Sequence, residues 1–131
     1  MSEIVLTKEQ MRELKTLGLD ISDASMCYVK GLDFPFPCSE IKKNPLFKDC
    51  VIEEYAYTLS DILQKIPCDD EGNHPVLCYR IHDSFTNEIV WESGYLVERI
   101  LEQYTNIISE GKSPMESVFN MLKIVSQKRQ I

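Results

Sequence analysis

Cys68, His74, Cys78 and His82 are the residues whose types best suit chemistry, because two thiolates and two imidazoles make a tetrahedral zinc donor set. Their spacing speaks against one shared ion. Cys78 and His82 stand four residues apart in an alternating run that has the pattern of a strand, which separates their Cα atoms by about 13 Å at a rise of about 3.3 Å per residue. Donors on one zinc each lie only about 2.0–2.3 Å from it. No Cys-x-x-Cys knuckle occurs, so the four are expected to serve separate packing or solvated roles, with no metal ligand among them. The same types could furnish a nucleophile and its base, from Cys78 with His82 or from Cys27 with either His. A single His beside a strand is more often a hydrogen-bonded structural residue, so no catalytic pair is expected. Asp69-Asp70-Glu71 offers three carboxylates to a hard cation, but the alternating oxygen ligands of an EF-hand loop are missing and a solvated turn is expected.

The five glycines are scattered singly, and the chain has no Gly-x-Gly-x-x-Gly, Walker loop, Gly-x-Ser-x-Gly elbow or His-Glu-x-x-His. The expectation is therefore a protein without catalytic residues or a cofactor site. At 131 residues the chain suits a single domain over its whole length, 1–131. Ordinary globular composition, 44% hydrophobic and 27% charged, sets aside disordered, collagenous and coiled-coil classes. No apolar run approaches the roughly 18 residues that span a bilayer, so no membrane contact is expected. Five cysteines cannot all pair within one chain and no secretion signal opens it, which predicts a reducing, cytoplasmic setting with thiols used mostly as small buried hydrophobes.

Charge bears on the partner. The formal net charge is -7, and its distribution is uneven: Asp49 to Glu102 holds 12 acidic and 3 basic residues, while the rest of the chain is slightly basic. Binding to a polyanion needs clustered Lys and Arg, so direct nucleic-acid binding is not expected. The acidic middle suits a solvated face, or a lure for a basic partner.

Local signals predict where the elements lie. Thr7 with Gln10 makes a capping box for a helix over about Lys8 to Leu17, with Leu6 and Met11 at staple positions and Gly18 after its end. Met26–Val29 has the pattern of a short strand. From Asp33 to Asp49 the prolines predict a loop or irregular edge, under which Phe34, Phe36 and Phe47 are expected to pack; left exposed, they would form a sticky surface. Cys50 to Tyr57 suits an edge strand, with Val51, Glu53, Tyr55 and Tyr57 on one face. Thr58-Leu-Ser-Asp61 caps a two-turn helix stopped by Pro67. Two antiparallel strands follow, Val76–His82 and Glu88–Glu92, with Leu77, Tyr79 and Ile81 on one face of the first. Tyr95 to Ser109 mixes helical spacing with strand-forming residues, and Gly111 closes it. Ser113-Pro114-Met115-Glu116 then opens a final helix with a stripe of Met115, Val118, Phe119, Leu122 and Val125.

Three stretches carry a resemblance. Leu-x-x-Leu-Gly-x-Asp-x-Ser-x-Ala-Ser-Met over Leu14 to Met26 resembles the opening of small uncharacterised proteins of prophages and mobile elements in Bacteroides-type bacteria. Thr58 to Pro67 is similar to their Thr-Leu-x-Asp-Ile-Leu-x-x-Leu-Pro stretch, and Glu116 to Leu122 to their Ala-x-x-x-Met-Leu pattern, although Val118 or Phe119 stands in place of the Ala. The resemblance implies an antiparallel sheet flanked by helices, no established activity, and a strand rather than a helix before the closing helix.

The fold expected is thus α+β: a small antiparallel sheet of 3–5 strands packed by an N-terminal, a short middle and a C-terminal helix. The function expected is a non-catalytic protein-interaction module. Its partner would be another protein or a second copy, contacted through the Cys50–Tyr57 edge or the Pro-Phe loop. The alternatives are an acidic modulator of a basic, nucleic-acid-handling protein, and a small enzyme with dispersed catalytic residues.

Overall fold

Helix α1 (Lys8–Thr16) begins at Thr7, whose hydroxyl accepts from Gln10 N at 3.2 Å while the Gln10 side chain accepts from Thr7 N at 2.9 Å. Both halves of the predicted capping box are made, and the staple residues Leu6 and Met11 are fully buried. The computed structural model describes residues 5–68, 71–72, 74–99 and 102–129. The chain divides into two compact units, Met1–Asp61 and Ile62–Ile131.

In the first unit, β1 (Met26–Val29) lies between β2 (Pro35–Pro37) and β3 (Ile52–Ala56), and both pairings are antiparallel. Alternation gives the sheet two working faces. Cys27 and Val29, with Tyr55 and Ile52 opposite them, share a core cluster with Cys38, Ile41, Phe36 and Phe47. On the other face, Tyr28 donates through its hydroxyl to Leu6 O at 2.8 Å, and Glu54 sits buried with Lys15 Nζ at 3.5 Å and Arg12 Nε at 3.8 Å. A carboxylate is tolerated in the β3 wall because α1 brings two cations to it.

The stretch predicted to be loop from Asp33 to Asp49 contains a helix, α2 (Cys38–Lys43), and a 3-10 turn, Pro45–Phe47. Prolines 35, 37 and 45 bracket the helix without interrupting it. Pro37 stands at the N-cap position, where no intrahelical donor is needed, and Cys38 N instead donates to Ser25 O at 2.9 Å. A second correction concerns β3. Val51 does not share a buried face with Tyr55 and Tyr57: it precedes the strand and is exposed, while Tyr57 lies past its end and is buried. The edge position of β3 is as expected.

Helix α3 (Leu59–Lys65) has the predicted box: Thr58 Oγ1 accepts from Asp61 N at 3.1 Å, and Asp61 Oδ2 accepts from Thr58 N at 3.0 Å. In the second unit β4 (Pro75–Asp83), β5 (Glu88–Arg99) and β6 (Glu102–Gly111) form an antiparallel meander in the order β4-β5-β6. Asn87 takes the left-handed conformation in the β4–β5 turn, which Asn adopts more readily than most residues. The ambiguous stretch from Tyr95 to Ser109 is neither one helix nor one strand but the far end of β5 and most of β6. Its helical spacing was a coincidence of two strands meeting in one window. The side chains of Leu77, Tyr79, Leu96 and Tyr104 lie outside the described residues.

Helix α4 (Pro114–Arg129) is capped by Ser113 Oγ, which accepts from Glu116 N at 3.1 Å. All five residues of the predicted stripe are buried, and Met121 and Ser117 join them. Ser117 Oγ and Ser93 Oγ are 2.6 Å apart, and Ser109 Oγ donates to Ser117 O at 2.6 Å, so the helix is stitched to β5 and β6 by buried hydroxyls. Gly111 permits this approach, since a Cβ there would come within 2.5 Å of Ser117 N. The class is α+β with antiparallel pairing and helices at both ends, as expected; among the described residues the strands divide between two three-stranded sheets instead of sharing one. Among the described residues, no helix is long and apolar enough to cross a membrane.

Candidate functional site

Of the exposed apolar side chains of the first unit, Leu32, Phe34 and Val51 lie where its loops meet one end of the sheet, and Leu46 stands on the 3-10 turn. The turn after β1 carries Leu32 and Phe34, and β3 is entered through Val51, so the antiparallel order brings these segments to the same end. Phe34 is 64% exposed, Leu46 86% and Val51 61%. Beneath them runs a ladder of rings: Phe34 lies 6.1 Å from Phe36, and Phe36 lies 5.4 Å from Phe47, all tilted as aromatic pairs prefer. The three phenylalanines predicted to pack together beneath the loop thus divide. Phe36 and Phe47 pack on the Cys27–Ile41 cluster, and Phe34 extends the ladder outward.

Leu46 was not legible as a surface residue. Asn44 fixes it there: the Asn44 side chain accepts from Leu46 N at 3.0 Å, and the 3-10 turn that follows sends Phe47 inward and Leu46 out. The signal available in the sequence was Asn44-Pro45, a turn initiator placed directly before two large apolar residues. The edges that flank this end are β2, whose two prolines lack donors, and β3. The arrangement presents large apolar side chains to solvent.

The Cys and His residues are distributed over the chain. Cys68 Sγ and His74 Nδ1 stand 3.3 Å apart. His82, on β4 opposite Ile89, is exposed, and the Cys78 side chain, like Asp69 and Asp70, lies outside the described residues. Among the described residues no group of three or more His, Cys, Asp or Glu could hold a metal. Cys27 and Cys38 are buried together, Cys38 Sγ donating to Ala24 O at 3.3 Å. Burial first, and the Cys38 sulfur beside it second, push the Cys27 thiol up to about 12, so it stays protonated and inert.

In the second unit an open groove of about 660 Å³ runs between β6 and α4, lined by Ile107, Glu110, Asn120, Lys123, Ile124 and Gln127. Its polar groups serve the fold. Asn120 Nδ2 donates to Glu110 O at 2.9 Å, and the Lys123 ammonium sits 4.9 Å above the Phe119 ring. Glu92 lies across the β5–β6 ladder from Glu110, and burial, then that neighbouring carboxylate, hold its own carboxyl above the usual range. In comparison with known proteins, no family model, curated protein or solved structure matches the chain.

Proposed function

We propose that this chain is a non-catalytic protein-interaction module whose contact surface is the exposed apolar end of the first unit, around Phe34, Leu46 and Val51. The observation that carries the reading is the exposure of these three large side chains, Phe34 in contact with the Phe36 ring and Leu46 next to the Asn44 cap. A cluster of this kind is costly to keep in water and is used where a partner covers it. The partner is a protein, a second copy of the chain included, in a cytoplasmic setting; the excess of acid over base disfavours nucleic acid. A role in a mobile element rests on the resemblance of the Leu14–Met26, Thr58–Pro67 and Glu116–Leu122 stretches.

Light scattering after size exclusion, combined with capture by a tagged copy, tests the proposal. The wild-type chain should self-associate or retain a protein partner, and Phe34→Ser with Leu46→Ser should abolish this without loss of secondary structure. A wild-type chain that stays strictly monomeric and retains nothing overturns the reading. Capture should persist at high salt, because apolar contact is not screened. Capture that fades with salt would favour the acidic segment from Asp49 to Glu102 as the contact instead.

A further inference from the structure

Cys68 and His74 are brought together by Tyr95. The Tyr95 hydroxyl donates to Pro67 O at 3.0 Å, fixing the backbone immediately before Cys68. Tyr95 is also the ladder partner of Pro75, the residue immediately after His74. One buried tyrosine thus ties the backbone beside Cys68 and beside His74, and Gly72 between them has φ at +83°. The two side chains meet at 3.3 Å, Sγ to Nδ1. Either the thiol donates to a neutral Nδ1 or Nδ1–H donates to a thiolate, and in both cases the proton moves along one short contact. Cys68 is half-buried and His74 exposed, so a small reagent can approach from solvent.

The other described cysteines lack this combination. Cys27 and Cys38 are buried, the first with its thiol pushed up to about 12, and Cys50 is exposed but belongs to the unit Met1–Asp61, which contains no histidine. A nucleophilic sulfur needs access and a base within hydrogen-bond reach. We infer that Cys68 is a modification site, where His74 acts as base and the thiol exchanges with a small disulfide such as glutathione disulfide. Cys68 sulfur attacks one sulfur of the disulfide and forms a mixed disulfide. The bond between the two reagent sulfurs breaks, His74 takes the Cys68 proton, and the departing thiolate is protonated in turn. One thiol and one disulfide give one thiol and one disulfide: the Cys68 sulfur is oxidised, the departing sulfur is reduced, and the reagent disulfide is the oxidant.

The test treats the native full chain with glutathione disulfide at neutral pH and follows each cysteine-containing peptide by mass spectrometry over time. Cys68 should be modified about tenfold faster than Cys50, which serves as the exposed reference thiol without the base. In His74→Ala and His74→Gln the rate at Cys68 should fall to within about twofold of Cys50, while the Cys50 rate stays unchanged. Unchanged Trp91 fluorescence reports that the unit carrying His74 is folded in the variants, and the wild-type ratio stands by itself if one of them is not. Modification of Cys50 before Cys68, or a Cys68 rate indifferent to both His74 substitutions, overturns the inference.

Discussion

The two units solve the problem of holding a small sheet in different ways. In Met1–Asp61 the sheet is only three short strands, and its loops are tied down by side chains that reach far along the sequence. Tyr57 donates to Asp23 Oδ1 at 2.7 Å with Asp20 O at 3.1 Å, and Asp61 Oδ2 receives Ser25 Oγ at 2.7 Å as well as Ser25 N and Thr58 N. In Ile62–Ile131 the strands run to 12 residues, and a 16-residue helix covers them with a continuous apolar face. The contrast teaches that exposure does not follow from the kind of tie. Phe34 and Leu46 stand outside in the first unit, and Phe85, 97% exposed, stands outside with Ile81 and Ile89 in the second, so the units differ in what secures them rather than in keeping apolar residues inside.

The largest expected effect probes the burial side of this contrast. Phe119 is 4% exposed, so Phe119→Ala should cost about 3–5 kcal/mol by removing a buried ring and leaving a cavity. Ser113→Ala, which loses only the α4 cap, should cost about 1 kcal/mol. Trp91, the one tryptophan of the chain, stands in β5 and lets fluorescence follow urea unfolding of this unit directly. If the two variants shifted the transition equally, helix burial would not be what secures the second unit.

Tyr57→Phe probes the polar ties. The ring stays, a hydrogen bond to a carboxylate goes, and the loss should be about 1.5–3 kcal/mol, read by hydrogen exchange in the first unit. Burial first, then the Asp23 contact, raise the Tyr57 phenol above its ordinary value of 10.0. A group raised on folding contributes its stability in full below pH 10 and loses it as pH climbs further. The wild-type unit should therefore weaken in alkali more steeply than Tyr57→Phe. Equal alkaline profiles would remove Tyr57 from the set of ties.

Glu92→Gln sharpens the contrast at its smallest scale and with the opposite sign. Because burial and Glu110 raise the Glu92 carboxyl, the folded state holds that proton more tightly than the unfolded chain. Stability then falls as pH rises from the carboxylate range near 4.5, and removing the charge should stabilise the second unit at pH 7. The gain should be on the order of 1 kcal/mol, the cost of like charges in a water-like dielectric. Thermal melts at pH 4 and pH 7 read it, and a variant that is less stable at pH 7 would show that Glu92 is tied rather than repelled.

What was legible in the residues themselves was the set of local decisions. Thr7 with Gln10, Thr58 with Asp61 and Ser113 with Glu116 each fix a helix start through atoms three residues apart, and the α4 stripe recurs within a single helix. Such signals hold in any tertiary setting, because both partners lie on the same turn of chain. The prolines of Asp33 to Asp49 predict more loop than they enforce, since their effect is confined to their own positions and leaves Cys38–Lys43 free to coil.

Tertiary structure alone decided the rest. Alternation puts Tyr55 and Val51 on one face, but only the β1 register, with its shift between Tyr28 and Val29, determines which residues the sheet covers. The spacing of Cys68 and His74 says nothing of their meeting, because two side chains six positions apart have no preferred approach until Tyr95, more than twenty residues on, holds the backbone beside each of them. Even the distribution of strands over two sheets follows from pairings between distant segments. The sequence encodes those pairings as a sum of many weak burial terms, while each cap is encoded as one strong local bond.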